Sequence, residues 1–214
     1  MKTIVCFGDS NTHGYRSEDM GRFPLHERWT GMLQDLLSDD YDIKEEGLSG
    51  RTFVFDDPLF EGLSGLKAIR PVLMTHEPVD LLVVMLGTND TKERFSATST
   101  NIVRALERFL QHVFTCTDAF VDGKVRVLVM APPPIGEGYQ HTDCATDMGR
   151  DCHLKSAPFA ELAAALCRTY DVPFLDTSAI SGVVMNEVDY MHLTRDAHKY
   201  LAEALAKRIP EILA

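Results

Sequence analysis

The sequence predicts an α/β protein on a mainly parallel sheet. Three observations predict it. Short apolar, β-branched runs recur along the chain, and each stops at glycine, proline, aspartate or asparagine. Segments with helical periodicity lie between these runs, the alternation that wraps helices over both faces of a parallel sheet. The strongest run, residues 80–86 (DLLVVML), is apolar almost throughout, as a strand covered on both faces must be.

In chain order, Thr3-Ile4-Val5-Cys6-Phe7 reads as a buried strand that stops at Gly8-Asp9, with Ser10 just beyond it. Residues 11–27 form a long polar loop with three turn formers, Gly14, Gly21 and Pro24. Helical periodicity begins near Arg28, with Trp29, Met32, Leu33, Leu36 and Leu37 on one face. A strand is expected at about 41–45, ending at Gly47. Residues 53–65 are apolar and turn-rich, a candidate cover for a site, and 66–76 reads as a helix. After the 80–86 strand comes Gly87-Thr88-Asn89-Asp90, then an amphipathic helix carrying Ile102, Ala105, Leu106, Phe109, Leu110 and Val113 on one face. Residues 125–130 form another buried strand, 135–151 read as irregular, and 154–170 as one helix. A short strand at 173–175 leads to a last loop and a helix capped by Thr194. With right-handed crossovers, the residues after each strand share one edge of the sheet, the edge where such folds bind ligands. The chain reads as one domain over residues 1–214, without internal repeats.

The charge narrows the partners. A formal net charge of −11 argues against nucleic acid and anionic membranes, both of which demand basic patches. The five cysteines are odd in number, and no two form a C-x-x-C pair. They are expected to be reduced thiols in a cytoplasmic protein, in keeping with a start that lacks a signal peptide's charged region and cleavage site. No apolar run approaches the roughly 18 residues a membrane helix needs.

The edge residues suggest acyl transfer. A serine presented at a strand end can act as a nucleophile if a histidine reaches it. Of the eight histidines, only His192 follows an aspartate by three residues, Asp189, a spacing that puts both on one side of a turn. That carboxylate could fix the imidazole tautomer. Gly47 and Asn89, with the N–H of Ser10, are candidate donors to an oxyanion. The motifs G-x-S-x-G, G-x-x-x-x-G-K-[ST], G-x-G-x-x-G and H-E-x-x-H are all absent, so an α/β-hydrolase elbow, a nucleotide cradle and a zinc site lack support. Asn11, Trp29 and Phe53 are the candidates for substrate contact.

Taken together, Gly8-Asp9-Ser10, Gly47 in Glu46-Gly47-Leu48-Ser49, Gly87-Thr88-Asn89-Asp90 and Asp189-x-x-His192 resemble the SGNH, or GDSL-type, hydrolases, in that family's order and over the whole chain. The surrounding residues look like the small aryl esterase and acyltransferase branch. The resemblance implies a flavodoxin-like three-layer α/β/α sandwich with a five-stranded sheet and a serine esterase without cofactor or metal. It further implies Ser10 as nucleophile, His192 as base, Asp189 as its orienter, and Ser10, Gly47 and Asn89 around the oxyanion. A homo-oligomer and transfer to alcohols are expected from the branch. Carbohydrate O-acetyl esterase, thioesterase or lysophospholipase activity stay open, as does a non-catalytic ligand-binding module of the same fold. Two positions depart from the pattern. Asn11 stands where leucine is common, and Tyr190 where glycine is common; if that turn needs a positive φ, the tyrosine is strained.

Overall fold

The computed structural model describes residues 1–37 and 39–214. Five parallel strands make the central sheet: β1 (Lys2–Gly8), β4 (Tyr41–Gly47), β5 (Leu81–Met85), β6 (Val127–Ala131) and β7 (Phe174–Asp176), in the spatial order β4-β1-β5-β6-β7. A separate antiparallel hairpin pairs β2 (Tyr15–Arg16) with β3 (Gly21–Arg22). The helices are α1 (Ser10–His13), α2 (Trp29–Leu37), α3 (Gly65–Thr75), α4 (Ser99–Val113), α5 (Cys144–Met148), α6 (Cys152–Ser156), α7 (Phe159–Thr169) and α8 (Arg195–Ile212).

Alternation along the buried strands builds two cores. Val5 and Phe7 of β1, with Leu82 and Val84 of β5, face α3, α4 and α7 through Ile69, Leu73, Phe109 and Ala163. Ile4 and Cys6, with Leu81, Val83 and Met85, face α2 and α8 through Leu33, Leu201 and Leu205. Side chains of period two on a sheet clad on both faces produce this three-layer α/β/α sandwich. Cys6 lies in the core, where burial pushes its thiol well above the usual range.

The strand order leaves β1 at the point where the chain reverses direction across the sheet, with β4 on one side and β5 on the other. Crevices at such a reversal, beyond the carboxyl ends of the strands, are where these folds take ligands. Ser10 follows β1 and Asn89 follows β5, so the two flank that crevice.

The structure differs from the sequence expectation in three segments. Residues 11–27 are not a simple loop: they hold most of α1 and the small hairpin. The helix expected over 154–170 is two, α6 and α7, because Pro158 has no N–H to continue α6 and instead precedes α7. The segment 135–151 contains a 3-10 turn at Glu137–His141 and then α5. No helix among the described residues is long and apolar enough to cross a membrane.

Candidate active site

At the end of β1 the chain turns sharply into a single helical turn. The Asp9 side chain caps it by accepting the Asn11 N–H at 3.0 Å, and Gly14 ends it at φ 80°. Ser10 is therefore the first residue of α1 and stands at the sheet edge, 6% exposed.

The loop before α8 brings His192 to it. Asp189 Oδ1 accepts the N–H groups of Met191 and His192 at 3.1 and 3.2 Å, which folds 189–192 into a tight turn. Its other oxygen, Oδ2, lies 2.6 Å from His192 Nδ1, and His192 Nε2 lies 2.8 Å from Ser10 Oγ. All three side chains are buried. Burial opposes ionisation of Asp189, but the hydrogen bond and charge of His192 outweigh it and hold the carboxyl well below the usual range. Asp189 is thus an anion able to fix Nδ1 as the protonated nitrogen, which leaves Nε2 free to accept the serine proton.

Tyr190, inside that turn, has φ 62°, so the strain expected of a tyrosine there is present. Its surroundings hold it in place. The Gly136 N–H donates to Tyr190 O at 2.8 Å, and the side chain packs closely against Gly136 and Gly138. A Cβ on Gly138 would sit 2.4 Å from Tyr190 Cζ, so the ring fits only over a glycine.

Asn89 borders the same cavity. Its amide donates to Arg51 O at 3.2 Å, and its contact with Asp9 Oδ2 is long, 3.5 Å. The second proton is therefore weakly held and available to a stronger acceptor. Gly47 does not border the cavity. A Cβ there would lie 2.1 Å from His13 N, so this glycine serves the close passage of α1 over the end of β4. Gly50, three residues on, lines the cavity instead. The run Gly-Leu-Ser-Gly contains both glycines, and nearness to the strand end favours Gly47, which lies outside the cavity.

The cavity holds about 470 Å³. Phe60, Leu63, Met148 and Met191 give it an apolar wall, and Tyr15 sets its ring 4.5 Å from the His192 ring. Lys92, almost fully buried, reaches Asp147 at 2.9 Å and Asp57 at 3.8 Å, while Arg94 joins the same two carboxylates. This network ties the 57–62 loop, part of the cover expected at 53–65, to α5 across the cavity mouth. Cys144 also lines the wall, but burial and then the charge of Asp189 push its thiol up, which makes it a poor nucleophile.

None of the three expected substrate contacts lines the cavity. Trp29 is fully buried and donates its indole N–H to Asn11 O. Phe53 is in the core against Phe109 and Phe159. Asn11 is buried, and its amide is bonded to backbone beside His192. Tyr15 and Lys92 carry no local signal in the sequence, since the partners that make them part of the site come from distant segments. Among the described residues, no three His, Cys, Asp or Glu side chains gather as a metal site.

Fold and site together are those of an α/β protein with a serine, a histidine and a carboxylate hydrogen-bonded in series at its ligand-binding edge. The chain belongs to the GDSL-like lipase/acylhydrolase family, whose model matches residues 6–200. Among solved structures, the native aryl esterase of M. smegmatis is 34% identical, with a TM-score of 0.89 and full coverage of both chains. Est24, a carbohydrate acetylesterase from Sinorhizobium meliloti, is 32% identical, with a TM-score of 0.87 over 99% of this chain and 100% of that one. A GDSL-family lipolytic protein from Veillonella parvula, 19% identical with a TM-score of 0.65, shares the fold. No curated protein sequence matches the chain.

Proposed function

We propose that the protein is a serine esterase that acts on short acyl esters through an acyl-enzyme on Ser10. One observation carries the reading: the unbroken hydrogen-bond chain from Ser10 Oγ through both nitrogens of His192 to Asp189. Ser10 Oγ attacks the ester carbonyl while His192 Nε2 takes its proton. Asp189 stabilises the imidazolium that forms. The carbonyl oxygen becomes an oxyanion near the Asn89 amide and the N–H groups of Ser10 and Gly50. His192 then returns the proton to the leaving alcohol, and the C–O bond to it breaks. Water, deprotonated by His192 in turn, releases the acid and restores Ser10.

The apolar wall of Phe60, Leu63, Met148 and Met191 favours an uncharged, aryl-like substrate, in line with the aryl esterase among the similar structures. The same wall would let an alcohol compete with water for the acyl-enzyme. A second reading, removal of acetyl groups from a sugar, draws support from the Lys92–Asp147 pair, which could bind hydroxyls, and from the similarity to Est24. Turnover of p-nitrophenyl acetate, longer p-nitrophenyl esters and an acetylated sugar, each beside Ser10→Ala, tests the reading. Turnover on at least one ester that falls about 10³-fold or more in Ser10→Ala is expected; equal rates in the two proteins would overturn it. Added alcohol should yield the transferred ester, and hydrolysis alone would remove transfer from the proposal.

A further inference from the structure

Asn11, the residue after the nucleophile, takes no part in the chemistry proposed above and does not reach the cavity. It is 1% exposed, and its side-chain bonds span the molecule. Nδ2 donates to Met191 O at 3.1 Å, and Oδ1 accepts the Leu193 N–H at 2.9 Å. A primary amide presents donor and acceptor side by side, as a peptide group does, so one side chain grips the backbone immediately before and immediately after His192.

Both ends of this link are held by further hydrogen bonds. On the serine side, the Asn11 N–H is held by the Asp9 cap at 3.0 Å, and its carbonyl accepts the indole N–H of Trp29 at 3.1 Å. Trp29 is fully buried under α8, and its own N–H meets His198 Nδ1. On the histidine side, Asn186 donates both its backbone N–H and its Nδ2 to His192 O, at 2.8 and 2.9 Å. The turn between these anchors contains Tyr190 at φ 62°, a conformation that persists only where the surroundings over-determine it. Asn11 supplies that constraint from α1, the helical turn that carries Ser10.

We propose that Asn11 is a positioning residue: its side-chain amide clamps the peptides flanking His192 and so sets the separation of His192 Nε2 from Ser10 Oγ. This rests on the esterase reading above. The grip is independent of substrate, so its loss falls on the chemical step rather than on binding. Displacement of a reacting group by about 1 Å costs on the order of 10²-fold in rate.

Asn11→Leu tests the clamp, because leucine keeps the same branched skeleton of side-chain heavy atoms and can make neither bond. The folded, reactive fraction is counted by titration to completion with a fluorophosphonate, and kcat is expressed per titrated site. A fall in kcat of about 10- to 100-fold with KM within about twofold is expected. The Nδ1 proton resonance of His192 should also shift or broaden. Unchanged kcat per titrated site with a smaller reactive fraction would reduce Asn11 to a structural residue and overturn the proposal. A rise in KM alone would make it a substrate contact and overturn it equally. Wild type and Ser10→Ala run alongside: equal turnover there would sink the esterase reading, and the His192 resonance would still decide whether Asn11 holds the imidazole.

Discussion

Replacing Asp189 by asparagine tests the site with almost no change of shape. Oδ1 of Asp189 accepts two backbone N–H groups, from Met191 and His192. In Asp189→Asn those donors keep the amide oxygen in the Oδ1 position, so the NH₂ must occupy the Oδ2 position, 2.6 Å from His192 Nδ1 in the parent. An NH₂ there can only donate. Nδ1 must then accept, and the ring proton moves to Nε2, which faces Ser10 Oγ and can no longer take its proton. The anion that would stabilise the imidazolium is lost as well. Trapping the imidazole in this tautomer costs about 10⁴-fold in kcat, or roughly 5 kcal/mol of transition-state stabilisation. The assay is kcat per titrated active site on p-nitrophenyl acetate, with thermal denaturation to establish that the fold survives. A loss below about tenfold in a stable protein would contradict this role for Asp189, because the Asp189–His192 contact would then be structural only.

Other outcomes follow from the same geometry. Asn89→Ala should lower kcat by about 10²–10³-fold if its weakly held proton meets the oxyanion, whereas a change confined to KM would remove it from that role. Gly138→Ala should push the Tyr190 ring off its platform and lower kcat by about tenfold or more, with activity regained in Gly138→Ala/Tyr190→Gly; a fully active single variant would contradict the tight packing. Asp90 is fully buried, and burial raises its carboxyl to about 8, against the donation from Phe53 N–H, which favours the anion. A folded-state pKa above the unfolded one means stability is full below about pH 4 and declines as pH rises towards 8. Asp90→Asn mimics the protonated acid, so melting temperatures of the two proteins should converge near pH 4 and separate in favour of the variant by pH 8; a gap independent of pH would contradict this. His198 runs the other way. Burial, with the charges of His192 and Arg28, drives it down to about 3, so it contributes stability above about pH 6.5 that is lost as pH falls. His198→Phe should flatten the acidic side of the stability curve, and an unaltered acidic slope would refute the assignment.

Much of this was legible in the sequence because it is local. Each central strand is a short apolar run with a turn former after it, and parallel pairing follows from the helices between them. Asp189 and His192 belong to one turn, and Ser10 sits directly after a strand, so topology alone brings them to one edge. What was not legible depends on where side chains point after packing. Trp29 and Phe53 have the size and position of wall residues, but the helix and loop that carry them turn both into the core. Asn11 reads as a loop polar residue until the chain returns to place Met191 and Leu193 against it. Gly47 and Gly50 differ only in which one the passage of α1 occupies, a packing fact that no local pattern contains. The hairpin within 11–27 has no alternating apolar pattern, and it puts Tyr15 against His192.

In the proposed mechanism, Ser10 carries the acyl group. Rapid quenching of the enzyme during turnover of p-nitrophenyl acetate, followed by peptide mass spectrometry, tests it most directly. One acetyl group is expected on the peptide that contains Ser10, at its side-chain oxygen, and none in Ser10→Ala. An acetyl group on another residue, or turnover undiminished in the variant, would contradict it.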